Sequence, residues 1–195
     1  MIVDISSTSI GQTVFETALG FVGIAWSGIG LTRLCLFQRD RAGVERRLER
    51  LDAANGVAGL HESREPAWVV DLIRDVRAYA EGEEIDFSGV PVDLSGIDDF
   101  NLAIYDAARK LRFGETTTYG ELAKRAGRPG LPRETGQALG ANPVPLVIPC
   151  HRILAAGGKI GGFSAPGGST TKEKMLALEG VRVGPAPAPQ QSFGF

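Results

Sequence analysis

Cysteine is nearly absent: the 195 residues hold only Cys35 and Cys150, and the two share no metal-ligand spacing. Such scarcity argues against a disulfide framework and against a zinc site. Cys35 also lies in an apolar run, Leu34-Cys35-Leu36-Phe37, that has the pattern of a buried strand. Histidine is equally rare, with only His61 and His151. No apolar run approaches the roughly 20 residues that span a bilayer, and the N-terminus lacks a basic segment leading into a long apolar one. The expectation is a cytoplasmic protein. With 43% hydrophobic residues, it has enough apolar side chains to bury a core without covalent staples.

A net charge of −2 conceals an uneven distribution. Residues 1–100 carry 9 Lys/Arg against 17 Asp/Glu, and residues 101–195 carry 12 against 6. A polyanion, if one is bound, would meet the second half. Two solvated faces of unequal composition would give the same figures.

From Phe15 to Phe37, two apolar stretches flank the turn residues Ser27-Gly28-Ile29-Gly30, the pattern of a β-hairpin. Arg39 to Ala54 places Val44, Leu48 and Leu51 at helical spacing among charges. Pro66 suits the first position of a second helix, with Trp68, Leu72, Val76 and Tyr79 on its inner side. Ile85 to Leu94 reads as a short strand interrupted by Gly89 and Pro91. These elements form a small α+β unit ending near residue 95 with no catalytic constellation, and His61 beside Glu62 reads as a solvated surface histidine.

Helices dominate after Asp98-Asp99, which can cap a helix through Leu102, Ile104, Tyr105, Ala108 and Leu111. Thr117 or Thr118 can cap Tyr119 to Ala126, which stops at Gly127. After a tight turn, Pro132 opens another helix that ends before Asn142-Pro143. Two short helices so joined have the arrangement of a helix-turn-helix. Gly136 and Gly140 in the second helix each cost roughly 1 kcal/mol relative to Ala. So slim a helix suits either close approach to a nucleic-acid groove or close packing inside the protein. A Gly-rich loop from Ala155 to Gly168 follows, then a helix capped by Thr170 or Thr171 and ending Glu179-Gly180. The macrodipole disfavours a carboxylate at that end, so Glu179 should have a partner. The proline-rich 183–195 reads as a disordered tail.

Ile148-Pro149-Cys150-His151-Arg152 places a thiol beside an imidazole. A cysteine attacks as thiolate, and an adjacent histidine can take its proton. A buried structural cysteine is the competing reading, since an apolar run leads into Cys150.

With Asn142-Pro143, the Cys150 segment, the Gly-rich loop and the helix ending Leu178-Glu179-Gly180 in view, the chain resembles the O6-alkylguanine-DNA alkyltransferases, or methylated-DNA–protein-cysteine methyltransferases, over about residues 98–182. The resemblance implies an α+β fold. An N-terminal RNase H-like α/β domain would span 1–95. A mainly helical domain with a winged-helix or helix-turn-helix-like DNA-binding unit would span 96–182. It implies Cys150 as alkyl acceptor, His151 as its base through a bound water, Glu179 as the acid that orients His151, and Asn142 as the brace of the turn. Tyr119 would crowd the DNA backbone and donate a proton to the departing guanine, and Arg133 would fill the gap left in the base stack. Gly120, Arg128, Gly136 and Ala138 would complete the DNA face, and Gly161, Gly162, Phe163 and Ser164 the loop over the flipped base. The implied activity is irreversible, single-turnover repair of O6-alkylguanine in double-stranded DNA, with O4-alkylthymine as a further candidate. No cofactor, metal, membrane or obligate protein partner is implied.

Chemistry agrees with the resemblance. Attack at an sp³ carbon needs a soft nucleophile and a stabilised leaving group, and the base must first leave the stack at roughly a few kcal/mol. Three features depart from the family: Glu134 and Thr135 after Arg133, Phe163 where tyrosine is frequent, and a longer loop through Ala165-Pro166-Gly167-Gly168-Ser169. Among rivals, a non-enzymatic alkylated-DNA sensor or helix-turn-helix binder needs no reactive thiol. A cysteine hydrolase would leave the slim helix unused. A zinc deaminase needs a second cysteine where Ile153 stands.

Overall fold

A computed structural model of the chain describes residues 11–53 and 65–183. His61 and the proline-rich segment after residue 183 lie outside the described residues. Three antiparallel strands come first: β1 (Gly11–Thr17), β2 (Gly20–Trp26) and β3 (Leu31–Gln38), in the order β1-β2-β3. The expected hairpin is β2 and β3, with Ile24 opposite Leu34, and β1 extends it in register, with Phe15 opposite Val22.

Strand alternation sends side chains to two faces. Val14, Ala25 and Cys35 meet Val44 and Leu48 of helix α1 (Arg41–Ala53) on one face. Gly23 lets α1 approach, because a Cβ there would stand 2.4 Å from the Val44 side chain. On the other face Val22, Ile24, Trp26, Leu34 and Leu36 join Val69, Leu72, Val76 and Tyr79 of helix α2 (Ala67–Ala80). Pro66 is the residue before α2 rather than its first.

The expected strand over 85–94 does not form. Gly89 and Pro91 break it, and only Val92 makes a bridge, parallel to Leu31. The backbone there serves the free edge of β3: Leu31 N donates to Pro91 O and Asp93 N to Leu31 O. Farther along this edge Leu34 N donates to Pro143 O at 3.0 Å, fastening the sheet to the turn before Cys150.

Helix α3 (Asp99–Arg109) is capped by Asp98, whose side chain accepts from Asn101 N. Strand β4 (Thr117–Thr118) leads into α4 (Tyr119–Arg125), capped by the Thr118 hydroxyl, and α5 (Pro132–Gly140) follows with Pro132 in its first turn. α3, α4 and α5 pack together. Strand β5 (Ile153–Leu154) pairs in parallel with β4, which sets the start of α4 beside the Cys150 turn. The last helix, α6 (Gly168–Leu178), starts earlier than expected: Gly167 and Gly168 take left-handed backbone, and Thr171 donates back to Pro166 O instead of capping. One buried cluster joins Trp26, Leu31 and Tyr79 to Ile104, Cys150 and Met175 across the two halves. No helix among the described residues is long and apolar enough to cross a membrane.

Candidate active site

Cys150, His151 and Arg152 form one turn of 3-10 helix, all three buried. The segment ahead of it is braced by Asn142, whose Nδ2 donates to Ile148 O at 2.8 Å while its Oδ1 accepts from Val144 N at 3.0 Å. Within this brace Leu146 holds a left-handed backbone (φ 77°), and the 1% exposure of its side chain shows what keeps it there.

Glu179, just past α6, is the hub. Its Oε1 accepts from His151 Nε2 at 2.7 Å, Tyr79 OH at 2.9 Å and Arg152 Nη2 at 3.0 Å. Its Oε2 accepts from Arg152 Nε and Gly114 N, both at 2.9 Å. The helix-end carboxylate thus has the partner its position demanded. Burial alone would raise its pKa, but His151 and Arg152 outweigh that and hold it at about 2. An ionised Glu179 can only accept, so Nε2 of His151 carries the ring proton and Nδ1 keeps the lone pair. Nδ1 has no hydrogen-bond partner among the described residues. Burial also lowers the His151 pKa against the pull of Glu179, so the imidazole rests neutral.

Burial pushes the Cys150 thiol up, opposed by the Asn142 side chain and by the charge of Lys172. Lys172 is itself fully buried in α6, donating to Ile153 O and, at 3.3 Å, to Gly162 O. Its pKa falls to about 8 through burial, partly offset by Cys150. A buried ammonium near a buried thiol favours the thiolate.

Tyr119 stands across from these groups, half-buried, its hydroxyl 3.4 Å from Gly162 O. Burial raises its pKa, so it holds its proton and donates hydrogen bonds. Gly161 is left-handed (φ 69°), and a Cβ there would lie 3.3 Å from the Tyr119 ring, so glycine is what brings the loop this close. Tyr119, Gly136, Cys150, Gly162, Phe163 and Ser164 line one cavity of about 310 Å³.

Gly120, Arg128 and Arg133 are exposed, and Gly136 is partly so, on the α4–α5 unit. Ala138 is the exception: it is 2% exposed, and its carbonyl accepts from the Tyr105 hydroxyl, so it packs on α3 rather than on the outer face. Thr135 also turns inward, bonding Leu131 O, whereas Glu134 stays exposed beside Arg133. Three participants escaped sequence reasoning: Arg152, Lys172 and Tyr79. The first half, expected to offer nothing to the site, supplies Tyr79.

Comparisons with known proteins bear on the family of the chain. The family model described as the 6-O-methylguanine DNA methyltransferase DNA binding domain matches residues 99–181. The methylated-DNA–protein-cysteine methyltransferase of Methanothermobacter thermautotrophicus is 32% identical over 160 residues, 82% of this chain and 80% of that protein. Its namesake in Mycobacterium tuberculosis is 38% identical over 122 residues, 63% of this chain and 72% of that one. The crystal structure of the M. tuberculosis O6-methylguanine methyltransferase superposes with a TM-score of 0.65 at 30% identity, covering 92% of this chain and 96% of that one. The M. tuberculosis protein in complex with DNA gives 0.66 at 29%, covering 88% and 93%. With a buried thiol, imidazole and carboxylate beside the short helices α4 and α5, the chain belongs to the methylated-DNA–protein-cysteine methyltransferase family.

Proposed function

We propose that this chain repairs O6-alkylguanine in double-stranded DNA by moving the alkyl group irreversibly to Cys150. The observation that carries this reading is the 2.7 Å hydrogen bond from His151 to Glu179, which leaves a basic Nδ1 on a buried neutral imidazole one residue from a buried thiol. Cys150 gives its proton to Nδ1 through one bridging water, and Glu179 holds the ring that accepts it. The thiolate, favoured by Lys172, attacks the carbon bonded to O6. The S–C bond forms as the C–O6 bond breaks, and the electron pair leaves with guanine, whose departure the Tyr119 hydroxyl assists by donating a hydrogen bond. The proton that His151 took from sulfur passes back through water to the departing guanine, so the products are guanine and a thioether, with the imidazole neutral again. Water does not readily cleave a thioether, and the protein acts once.

In the same reading residues 1–95 are an RNase H-like structural domain and 96–182 the DNA-binding and acceptor domain. Gly120, Arg128, Arg133 and Gly136 face the duplex, and Arg133 takes the place of the extruded base. The loop Gly161 to Ser164 covers that base. Glu134 sets one negative charge beside this face.

Intact-protein mass spectrometry after incubation with duplex O6-methylguanine tests the proposal. One methyl per protein, on the peptide containing Cys150, is expected, with none on a Cys150→Ser variant that still binds the duplex. Turnover by substoichiometric protein would overturn it. Binding without any adduct would make the chain a lesion sensor instead.

A further inference from the structure

A second cavity, of about 430 Å³, also reaches Cys150. It shares Gly140, Cys150, Phe163 and Ser164 with the cavity that Tyr119 lines, so the acceptor stands where two spaces meet. The second space runs toward the first half of the chain, and its far wall holds Arg33 of β3 and Arg47 of α1. Arg33 shares its sheet face with Cys35, the face on which α1 packs, which is how a strand residue and a helix residue reach one space. Among the described residues no Asp or Glu lines the cavity, and neither arginine has an ion-pair partner. Among the described residues Arg33 donates one hydrogen bond, from Nη1 to the Thr32 carbonyl at 2.7 Å. Pro145, Phe163 and Pro166 make much of the wall between Cys150 and the arginines apolar.

We infer that this second cavity receives the far end of the O6 substituent, and that Arg33 and Arg47 select alkyl chains ending in a carboxylate. The inference rests on the alkyl-transfer reading above, with guanine in the Tyr119 cavity and the transferred carbon at Cys150. A chain longer than methyl must then continue away from guanine, along an apolar wall toward two guanidinium groups. A guanidinium meets a carboxylate with two parallel charge-assisted hydrogen bonds, and an amide of the same shape offers no charge to match.

The test compares duplexes carrying O6-(3-carboxypropyl)guanine and its primary amide, with O6-methylguanine as control. In the unaltered protein the carboxylate should transfer about tenfold faster than the amide. The ratio should fall toward one in an Arg33→Gln/Arg47→Gln variant and persist in Arg33→Lys/Arg47→Lys. Because each protein is read as a ratio, a general loss of fold or DNA affinity cancels. Independently of any variant, added salt should shrink the ratio in the unaltered protein. No methyl transfer at all would sink the repair reading itself. Normal methyl transfer with a ratio of one would overturn only this inference. Equal losses on both long-chain substrates in the Gln variant, with the ratio kept, would assign the arginines to DNA phosphates and also overturn it.

Discussion

Glu179 is the residue on which most depends, and its two roles pull a substitution experiment in different directions. It fixes the His151 tautomer, and it neutralises Arg152, which is 5% exposed and bonds Leu111 O with its third nitrogen. Glu179→Gln therefore leaves a buried guanidinium without its counter-charge. We expect it to lower stability by about 3–5 kcal/mol, besides slowing transfer. Tyr79→Phe removes one donor and leaves the ion pair, so its loss should be about 1 kcal/mol. Urea unfolding of the two variants checks this, and a Glu179→Gln protein as stable as Tyr79→Phe would show that Arg152 finds another partner. That Glu179 needs a partner was legible from its place at a helix end, whereas His151 as that partner was implied by the family resemblance. Arg152 and Lys172 were not legible, because charged side chains are so rarely buried that sequence assigns them to solvent. Each is held by main-chain carbonyls, Leu111 O and Ile153 O, which no pattern of side chains reveals.

At the scale of elements, α5 gains meaning from what surrounds its glycines. A Cβ at Gly140 would meet nothing within 4 Å, and one at Gly136 would make ordinary contact with the Tyr119 ring at 3.7 Å. Internal packing thus does not require either glycine, which supports the proposed close approach of a duplex to α5. Gly140→Ala should stabilise the fold by about 1 kcal/mol while weakening binding to duplex DNA. Thermal melting beside a DNA titration measures both, and a variant that is more stable and binds equally well would free α5 from the interface. The two helices α4 and α5 were legible because caps and breakers punctuate them: Thr118, Gly127, Pro132 and Pro143. Over 85–94 the same reasoning failed, since the segment bridges the edge of β3 only at Leu31 and is otherwise irregular backbone with a turn at Ser88-Gly89.

For the molecule as a whole, the relay links acidity to folding. Glu179 is held at about 2, below its ordinary 4.5, so the stability it contributes is present above the ordinary value and lost as pH falls toward 2. His151 is lowered from 6.5, so the unfolded chain takes its proton first, and stability again falls as pH drops below that value. Both act in one direction. The melting temperature should decline below about pH 6.5 and fall more steeply below about pH 4.5, and a melting temperature unchanged down to about pH 3 would contradict the buried relay. Tyr79 belongs to this scale too. Helical spacing revealed its inward face, but its partner lies 100 residues away, and only the closing of α2 over the second half brings them together.

Gly114 offers a way to watch that closure. Its amide sits in a turn, where exchange with solvent deuterium is ordinarily fast, yet it donates to Glu179 Oε2 in the interior. That proton leaves only when its bond to Oε2 opens, so its exchange rate is a clock for opening at this edge of the relay. Substrate entry that leaves Glu179 in place would not change the rate, whereas entry that pries α6 away would quicken it. One loop hydrogen thus distinguishes a site that is rigid at the moment of reaction from one that must breathe.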